Sequence, residues 1–488
     1  MRLNYLLILL LSVQISFAIL SHRIRPSKKF QSPFSYEKKS FTEFLDHFSF
    51  GPSHKFNITY LISTEKWKPG GPILFYTGNE GSIEHFARNT GLIFELAENL
   101  TGAVIFAEHR YYGTSLPFGN QSFNDRRHFG YLIAEQALAD YAKLLTDFKC
   151  ANHQFANSPV ISFGGSYGGM LTAWFRQAYP NVVTGGLAAS APIWLFPGMC
   201  DCRGFYQVTT RAYQQGGGSQ CTSTIREIWS LIDEIAKKPH GLDDLSGAFK
   251  TCELFSSGDF VSGFVEDYLV TLAMGNYPYS TSFLGELPAW PVKEFCKAIV
   301  NCPIEGKLPP QVEKFACAFF SLYNYKQEDK CLSFASGSEN LDSRGWELQT
   351  CMEMTNPICS DGKTDMFRPR GWDPIEFSNS CQDRFGVQPR MDWAGLQWWA
   401  KDIITDTRLI FSNGDLDPWS AFGVLNETSA PGATVVRIGR GAHHLDLRGS
   451  HPNDTEEVRA ARGLIRDKIA SWIEEWHRES HPLYCLEF

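Results

Sequence analysis

Ser166 is the residue of this chain whose surroundings suit it best to act as a nucleophile. It lies at the centre of Gly-Gly-Ser-Tyr-Gly-Gly at residues 164–169, which contains a G-x-S-x-G pattern. Residues 158–163 read as a short buried strand, and residues 170–179 read as a helix with apolar periodicity. A serine on a sharp turn between strand and helix is exposed for attack on a carbonyl carbon, and glycines tolerate the strained backbone there. The sequence therefore predicts a nucleophile elbow at Ser166.

A serine hydroxyl needs a base to take its proton and an acid to orient that base. Two loops late in the chain supply both, in the order Ser, Asp, His that α/β-hydrolases use. Asp415 and Asp417 follow one predicted strand, and His443 and His444 follow the next. The order alone leaves open which member of each pair would be catalytic.

Backbone N–H groups near the elbow are expected to form an oxyanion hole. Tyr167, the residue after the nucleophile, would supply one donor, and the loop at residues 76–81 would supply the other. Glu80 in this loop is either an anchor for a substrate amine or a surface acid, and the sequence favours neither. His109 and Arg110, at the end of another predicted strand, are expected to be structural.

Alternating strands and helices must position these residues. The predicted strands are 55–63, 71–77, 102–108, 158–163, 407–412 and 433–438, and the helices between and after them are 135–148, 170–179 and 458–476. Apolar strands that alternate with helices indicate a mostly parallel sheet covered on both faces. The predicted fold class is therefore α/β, with a core formed by residues 41–191 and 390–480.

A helical insertion is expected between the two halves of the core. From residue 192 to 389 the strand signals fade and helical patterns dominate, for example at 224–236 and 310–323. Three glycines at 216–218 would form a flexible joint. We interpret this region as a cap over the sheet.

The cysteines indicate disulfides and not a metal site. Eleven of the 13 cysteines lie between Cys200 and Cys381, which in an oxidising compartment is typical of disulfides that stabilise one region. Cys200 and Cys202 are too closely spaced for the usual zinc knuckle. We expect neither a metal nor a cofactor. The odd total leaves at least one thiol free or paired between chains.

The N-terminus indicates the secretory pathway. Residues 1–18 combine Arg2, an apolar run and a small-x-small cleavage site, as a cleaved signal peptide does, and no later stretch predicts a membrane span. The chain has five N-x-[ST] sequons as candidate glycosylation sites, at Asn57, Asn99, Asn120, Asn426 and Asn453. The formal net charge of −8 offers no basic patch and argues against nucleic acid as a partner.

Five stretches of the sequence together resemble the S28 family of serine peptidases. They are residues 75–81, 106–113, 164–169, 412–419 and 441–448, and the likeness covers nearly all of the chain after residue 40. The resemblance implies an α/β-hydrolase fold with a disulfide-rich helical cap domain at residues 192–389. It also implies cleavage of the peptide bond after a proline near one end of a peptide.

The resemblance also assigns roles to individual residues. It implies Ser166 as nucleophile, Asp417 as acid and His443 as base. Met170 and Trp419 match positions expected to line a proline pocket, since polarizable and aromatic walls hold a rigid apolar ring well. Core packing is the alternative for both. Where the family has glycines after this tryptophan, the chain has bulkier residues at 420–422, which would narrow the pocket.

Three disulfides of the insertion are implied by the same resemblance: Cys221 with Cys296, Cys252 with Cys331, and Cys351 with Cys381.

The expected function is a serine exopeptidase, secreted or lysosomal, that acts on proline-containing peptides in the manner of a Pro-Xaa carboxypeptidase. The close alternative is a dipeptidyl peptidase that releases Xaa-Pro from N-termini. An esterase, because the elbow serves any acyl transfer, and a non-catalytic adhesion protein are more distant alternatives. We also expect no membrane span after signal cleavage, and a homodimer is a further expectation.

Overall fold

A computed structural model describes residues 34–51, 54–334, 343–403, 408–479 and 485 of the chain. The predicted signal peptide at residues 1–18 lies outside the described residues. In the described part of the chain, no helix combines the length and the apolar character that crossing a bilayer requires.

Eight strands of the described residues form one sheet in the order β1-β2-β4-β3-β5-β6-β7-β8. The strands are β1 (Glu37–Phe44), β2 (Lys55–Ser63), β3 (Ile73–Thr77), β4 (Ala103–Ala107), β5 (Val160–Gly165), β6 (Gly185–Ala189), β7 (Leu409–Gly414) and β8 (Thr434–Ile438). Strand β2 runs antiparallel to both of its neighbours, β1 and β4, and all other neighbouring strands of this sheet are parallel. Every residue of β3, β4, β5 and β6 is buried, as expected for parallel strands covered on both faces. The predicted α/β class is confirmed, and the strand order is that of an α/β-hydrolase.

The described helices are α1 (Ile83–Asn89), α2 (Gly91–Leu100), α3 (Ala134–Ala151), α4 (Tyr167–Ala178), α5 (Gly204–Ala236), α6 (Gly241–Ala248), α7 (Gly258–Met274), α8 (Pro291–Asn301), α9 (Pro310–Tyr323), α10 (Ser343–Thr350), α11 (Pro374–Phe385), α12 (Trp393–Gln397) and α13 (Glu456–Arg478). Helix α5 is kinked at Gly218, where φ is 74° and ψ is −179°. This kink lies in the glycine run that the sequence predicts to be a joint. Glycine adopts such a positive φ without steric cost.

The chain divides into two compact units. The sheet unit takes in the described residues of Lys29–Cys200, Asn340–Pro357 and Cys381–Phe488, and the helical unit takes in those of Asp201–Glu339 and Ile358–Ser380. The helical unit therefore begins later than the predicted insertion at residue 192. It also leaves out the described residues 343–357 and 381–389. Residues 343–357 group with the sheet because polar side chains there, such as Gln349 and Glu353, hydrogen-bond to residues of the sheet unit.

Twelve of the 13 cysteines form six disulfides. The structure contains the three pairs that the resemblance implies, Cys221–Cys296, Cys252–Cys331 and Cys351–Cys381, together with Cys150–Cys485, Cys202–Cys359 and Cys302–Cys317. Both cysteines of the Cys351–Cys381 pair belong to the sheet unit, not to the helical one. Cys200 accounts for the odd cysteine.

A buried ion pair connects the end of β1, the first strand of the sheet, to helix α3. The Arg110 side chain is fully buried, and its Nε and Nη2 each donate to the Asp140 carboxylate at 2.7 Å. Its Nη1 donates to the carbonyl of Leu45 at 2.7 Å, and its Nη2 donates to that of Phe44 at 3.1 Å. The guanidinium thus joins the end of β1 to the helix, which is the structural role expected from the sequence.

Replacing Arg110 by alanine is expected to lower the free energy of unfolding by about 3–5 kcal/mol, because Asp140 is left as a buried charge without its main partner. Denaturant titration followed by tryptophan fluorescence measures this change. The matched control is Arg127→Ala, which removes an exposed arginine paired with Asp125 and should leave the unfolding midpoint nearly unchanged. Equal midpoints for the two variants would contradict the role of Arg110.

Candidate active site

Close backbone packing forces a strained conformation on Ser166. The residue lies between β5 and α4 with φ 60° and ψ −126°, a region that side-chain-bearing residues seldom adopt. A Cβ atom added to Gly164 would lie 2.0 Å from the carbonyl oxygen of Gly168. The chain can turn this sharply only because that side chain is absent, and the turn holds the Ser166 hydroxyl out at the end of the strand.

The elbow lies where the strand order of the sheet reverses direction. From β3 the chain continues to β4 on one side and later to β5 on the other. In open α/β sheets, ligands bind in the crevice at the carboxyl ends of the strands at such a point. Ser166 follows β5, and the loop containing Glu80 follows β3, so both lie at this crevice.

Asp417 and His443 form a buried pair at the same edge of the sheet. Both carboxylate oxygens of Asp417 lie 3.0 Å from Nδ1 of His443, and the two side chains are 0% and 2% exposed. Asp417 also accepts a hydrogen bond from the backbone N–H of Trp419 at 3.1 Å, which fixes the carboxylate. An Nδ1–H donated to this carboxylate leaves the lone pair on Nε2, the form that a general base needs.

The alternative acid, Asp415, lies at the surface. Its carboxylate accepts from Nη2 of Arg437 at 2.6 Å, and its side chain is 36% exposed. It therefore serves an exposed ion pair, whereas Asp417 contacts the imidazole.

The alternative base, His444, is a buried neutral side chain. Its backbone N–H donates to Oγ of Ser190 at 2.8 Å, and its Nδ1 lies 2.8 Å from Nη2 of Arg448. Burial, and then the neighbouring positive charges, hold the pKa of His444 well below its usual value. Its ring packs 4.2 Å from that of His443 and is so close to Gly165 that a Cβ there would lie 2.9 Å from Cδ2. His444 therefore fills the space between His443 and the elbow strand.

Candidate backbone donors for an oxyanion lie beside the serine. Tyr167 is the first residue of α4, so its N–H has no intrahelical acceptor and points along the positive end of the helix dipole. The loop after β3 lies against the same turn, since a Cβ on Gly168 would lie 3.0 Å from Oδ1 of Asn79. The Tyr141 hydroxyl fixes this loop by donating to the carbonyl of Gly78 at 2.7 Å.

The three predicted substrate-binding residues differ in their surroundings. Glu80 is partly exposed, and its Oε2 is buried without a hydrogen-bond partner among the described residues. Burial raises the pKa of Glu80, and hydrogen bonds from its own backbone and from the Asn79 side chain partly oppose this. Trp419 is half-buried with its ring centroid 6.2 Å from that of His443. Met170 is only 3% exposed and packs in a buried hydrophobic cluster, as its core-packing alternative expects.

Sequence reasoning missed Gln349, whose buried Nε2 lies 2.6 Å from Oη of Tyr167. The two residues are 182 positions apart, and one sequence alone holds no signal for such a contact. It also missed Glu353, which it assigned to the insertion.

A strained serine with a buried carboxylate–imidazole pair at the same sheet edge belongs to the serine hydrolases of the α/β-hydrolase fold. Comparison with known proteins defines the family. The family model for serine carboxypeptidase S28 matches residues 43–465, so the chain belongs to this family of serine-type exopeptidases.

Two relatives illustrate the similarity. The chain is 41% identical to a lysosomal Pro-X carboxypeptidase of Homo sapiens over 447 residues, which cover 91% of this chain and 89% of the relative. It is 38% identical to a prolyl carboxy peptidase like protein 5 of Caenorhabditis elegans, with 92% of each chain covered. Among solved structures, a proline iminopeptidase of Mycobacterium smegmatis matches 89% of this chain and 99% of its own, with a TM-score of 0.37 and 12% identity.

Replacing Gly164 by alanine is expected to abolish activity, because the new methyl group would overlap backbone atoms of Gly168 that cannot move without opening the turn. Hydrolysis of a peptide or ester substrate by the purified variant measures the loss. Gly463→Ala is the matched control, since a Cβ at this position of α13 meets no atom within 4 Å. We expect this control to keep its activity and to be stabilised by about 0.5–1 kcal/mol. A fully active Gly164→Ala enzyme would refute the close packing.

Proposed function

We propose that the protein is a serine exopeptidase that cleaves the peptide bond after a proline near one end of a peptide, through an acyl-enzyme formed on Ser166. The observation that carries the proposal is the buried contact of Asp417 with Nδ1 of His443 at 3.0 Å, at the sheet edge where the strained serine lies. This contact supports Asp417 and His443 over Asp415 and His444.

In the proposed reaction, Nε2 of His443 takes the Ser166 proton as the hydroxyl oxygen attacks the carbonyl carbon of the prolyl residue. The negative charge that develops on the carbonyl oxygen is held by the N–H of Tyr167 and a donor from the loop after β3. His443 then gives its proton to the leaving amine, and a water molecule hydrolyses the acyl-enzyme by the same steps. Asp417 holds the imidazole tautomer and stabilises the imidazolium throughout.

The proline preference is supported by two observations. The relatives include proteins named as Pro-X and prolyl carboxypeptidases. Trp419 is a half-buried aromatic ring beside His443, and an aromatic face suits a proline ring. Phe422, one of the residues after Trp419 that are expected to narrow the pocket, is buried, with 1% of its surface exposed. Met170 stays a prediction as a pocket residue.

Glu80 supports recognition of a substrate terminus, and its protonation state decides which one. With its pKa raised by burial, Glu80 is protonated in acidic solution and can donate to the terminal carboxylate of a substrate. This supports the Pro-Xaa carboxypeptidase reading, which we favour together with the named relatives. Ionised, the same carboxylate would hold an N-terminal amine, which is what a dipeptidyl peptidase requires.

We further propose that the protein acts in the lysosome or outside the cell. Six disulfides support folding in an oxidising compartment. The five sequon asparagines are all exposed and accessible to glycosylation: Asn57, Asn99, Asn120, Asn426 and Asn453. The signal peptide and the homodimer stay predictions.

Asp417→Asn is expected to lower kcat by about 10⁴-fold, because an amide favours the wrong imidazole tautomer and cannot stabilise the imidazolium. Asp415→Asn removes an equal charge from the neighbouring loop position and should keep kcat within a factor of about two. Steady-state hydrolysis of a proline-containing peptide measures both. Similar losses in the two variants would refute the assignment of the acid.

A peptide with proline next to its C-terminal residue and also second from its N-terminus decides which end is cleaved. We expect loss of the single C-terminal residue when only the N-terminus is blocked, and no cleavage when only the C-terminus is blocked, because the free carboxylate is then missing. Mass spectrometry of the products measures both reactions. Release of an N-terminal dipeptide from the C-terminally blocked peptide would instead establish the dipeptidyl peptidase.

A further inference from the structure

The side chain of Tyr167 is buried and held at its far end by two polar groups. Its hydroxyl lies 3.0 Å from Nε2 of His109 and 2.6 Å from Nε2 of Gln349. Tyr167 is also the residue whose backbone N–H we propose as an oxyanion donor. The anchoring of its side chain therefore bears on the placement of that donor.

The direction of each hydrogen bond around Tyr167 follows from its neighbours. Nδ1 of His109 lies 2.6 Å from the carbonyl of Arg110, which can only accept, so Nδ1 carries the proton. Burial lowers the pKa of His109 to about 4, so the ring is neutral and its Nε2 accepts from the Tyr167 hydroxyl. The Tyr167 oxygen is then left to accept from the amide of Gln349.

The Gln349 amide uses all of its polar atoms in this arrangement. The residue is fully buried, and its Nε2 also donates to Oε1 of Glu353 at 3.0 Å. Its Oε1 accepts from the Tyr112 hydroxyl at 2.7 Å. Since every donor meets an acceptor, the Gln349 amide has one orientation. Glu353 fixes this orientation by accepting the second N–H of the amide.

Glu353 and Glu135 are two buried carboxyls, here called the carboxyl pair, and within the described part of the chain each has one oxygen without a hydrogen bond. Oε1 of Glu353 also accepts from the backbone N–H of Ala134 at 2.8 Å, and Oε1 of Glu135 accepts from Nε1 of Trp393 at 2.6 Å. Oε2 of each carboxyl is buried and has no hydrogen-bond partner among the described residues. A proton on one carboxyl is the simplest way for such a pair to persist in a buried site.

The surroundings of the carboxyl pair favour its protonated state. Burial, followed by the charge of Glu135, raises the pKa of Glu353 to about 8, and burial also raises the pKa of Glu135. Arg390 is a cation that faces Glu135 and opposes this partly. Among the described residues, the other titratable groups that face the pair or its hydrogen-bond partners are Tyr112, Tyr167, Tyr179, His109 and Asp140, the last of which is paired with Arg110. Burial raises the pKa values of Tyr167 and Tyr179 and lowers that of His109.

We infer that Gln349 is a positioning residue for the oxyanion donor of Tyr167, and that the Glu135–Glu353 pair holds it in place while the pair carries a proton. The inference rests on the proposed function of Tyr167. Ionisation of both carboxyls would place two like charges in a buried site, and the relief is to move Glu353 and the amide bonded to it. Because small displacements of a catalytic donor are costly to rate, the turnover should fall as the pair loses its proton.

Two variants test the positioning role directly. Gln349→Met keeps the volume but removes the amide, and Tyr167→Phe removes only the hydroxyl. Each is expected to lower kcat and the rate of covalent labelling by a fluorophosphonate probe by about 10-fold or more, with KM nearly unchanged. Tyr213→Phe, which also loses one buried hydroxyl bond (to the Leu269 carbonyl), is the matched control and should label at the wild-type rate.

The outcomes separate this inference from the proposed function. Wild-type labelling rates in both Gln349→Met and Tyr167→Phe, or an effect on KM alone, would overturn the positioning role while leaving the proposed function intact. A wild-type protein that does not label at all would overturn both.

Glu353→Gln tests the proton without a large change of shape, since the amide is neutral and has nearly the size of the protonated acid. The pKa of Glu353 is raised in the folded protein, so the proton is present at low pH and is lost as the pH rises. Labelling of the wild type should therefore decline as the pH passes through about 8. In Glu353→Gln the decline should move to higher pH by about one unit or more. An unchanged midpoint would overturn the role of the carboxyl pair.

Discussion

The close approach of backbone at the elbow is the constraint on which the rest of the site depends. Gly164 and Gly168 lie so near each other that a Cβ atom on Gly164 would collide with the carbonyl group of Gly168. This packing holds Ser166 at a positive φ and leaves the N–H of Tyr167 at the open end of a helix. The loops that follow the parallel strands all lie at the same edge of the sheet. The other groups of the site, which belong to these loops, therefore lie at the same edge as these two residues.

The second constraint is the free-energy cost of burying ionisable side chains, and the site shows two ways of reducing it. The buried carboxylate of Asp417 has hydrogen-bond partners in an imidazole and a backbone N–H. His444 and His109 are instead buried as neutral rings whose pKa values burial lowers. The carboxyl pair behind Gln349 follows the second pattern, with the pKa of Glu353 raised.

The sequence predicted the parts of this arrangement that depend on local pattern. Strand β2 and helix α9 have the predicted bounds, because alternation and helical periodicity are properties of neighbouring residues. The order of Ser166, Asp417 and His443 along the chain was also predicted, because it can be read directly from the sequence. Strand β6 was missed because Gly185–Ala189 consists of glycine, leucine and alanine, and it is a strand only by pairing between β5 and β7. The choice of Asp417 over Asp415, and the contact of Gln349 with Tyr167, depend on tertiary geometry that no local pattern encodes.

The central claim is that Ser166 is a nucleophile activated at a strained elbow. Tandem mass spectrometry of the protein after reaction with a fluorophosphonate probe tests it most directly. We expect one adduct, located on Ser166, whose formation is slowed by a peptide with proline next to its C-terminal residue. An adduct on a different residue, or a wild-type protein that remains unmodified, would contradict it.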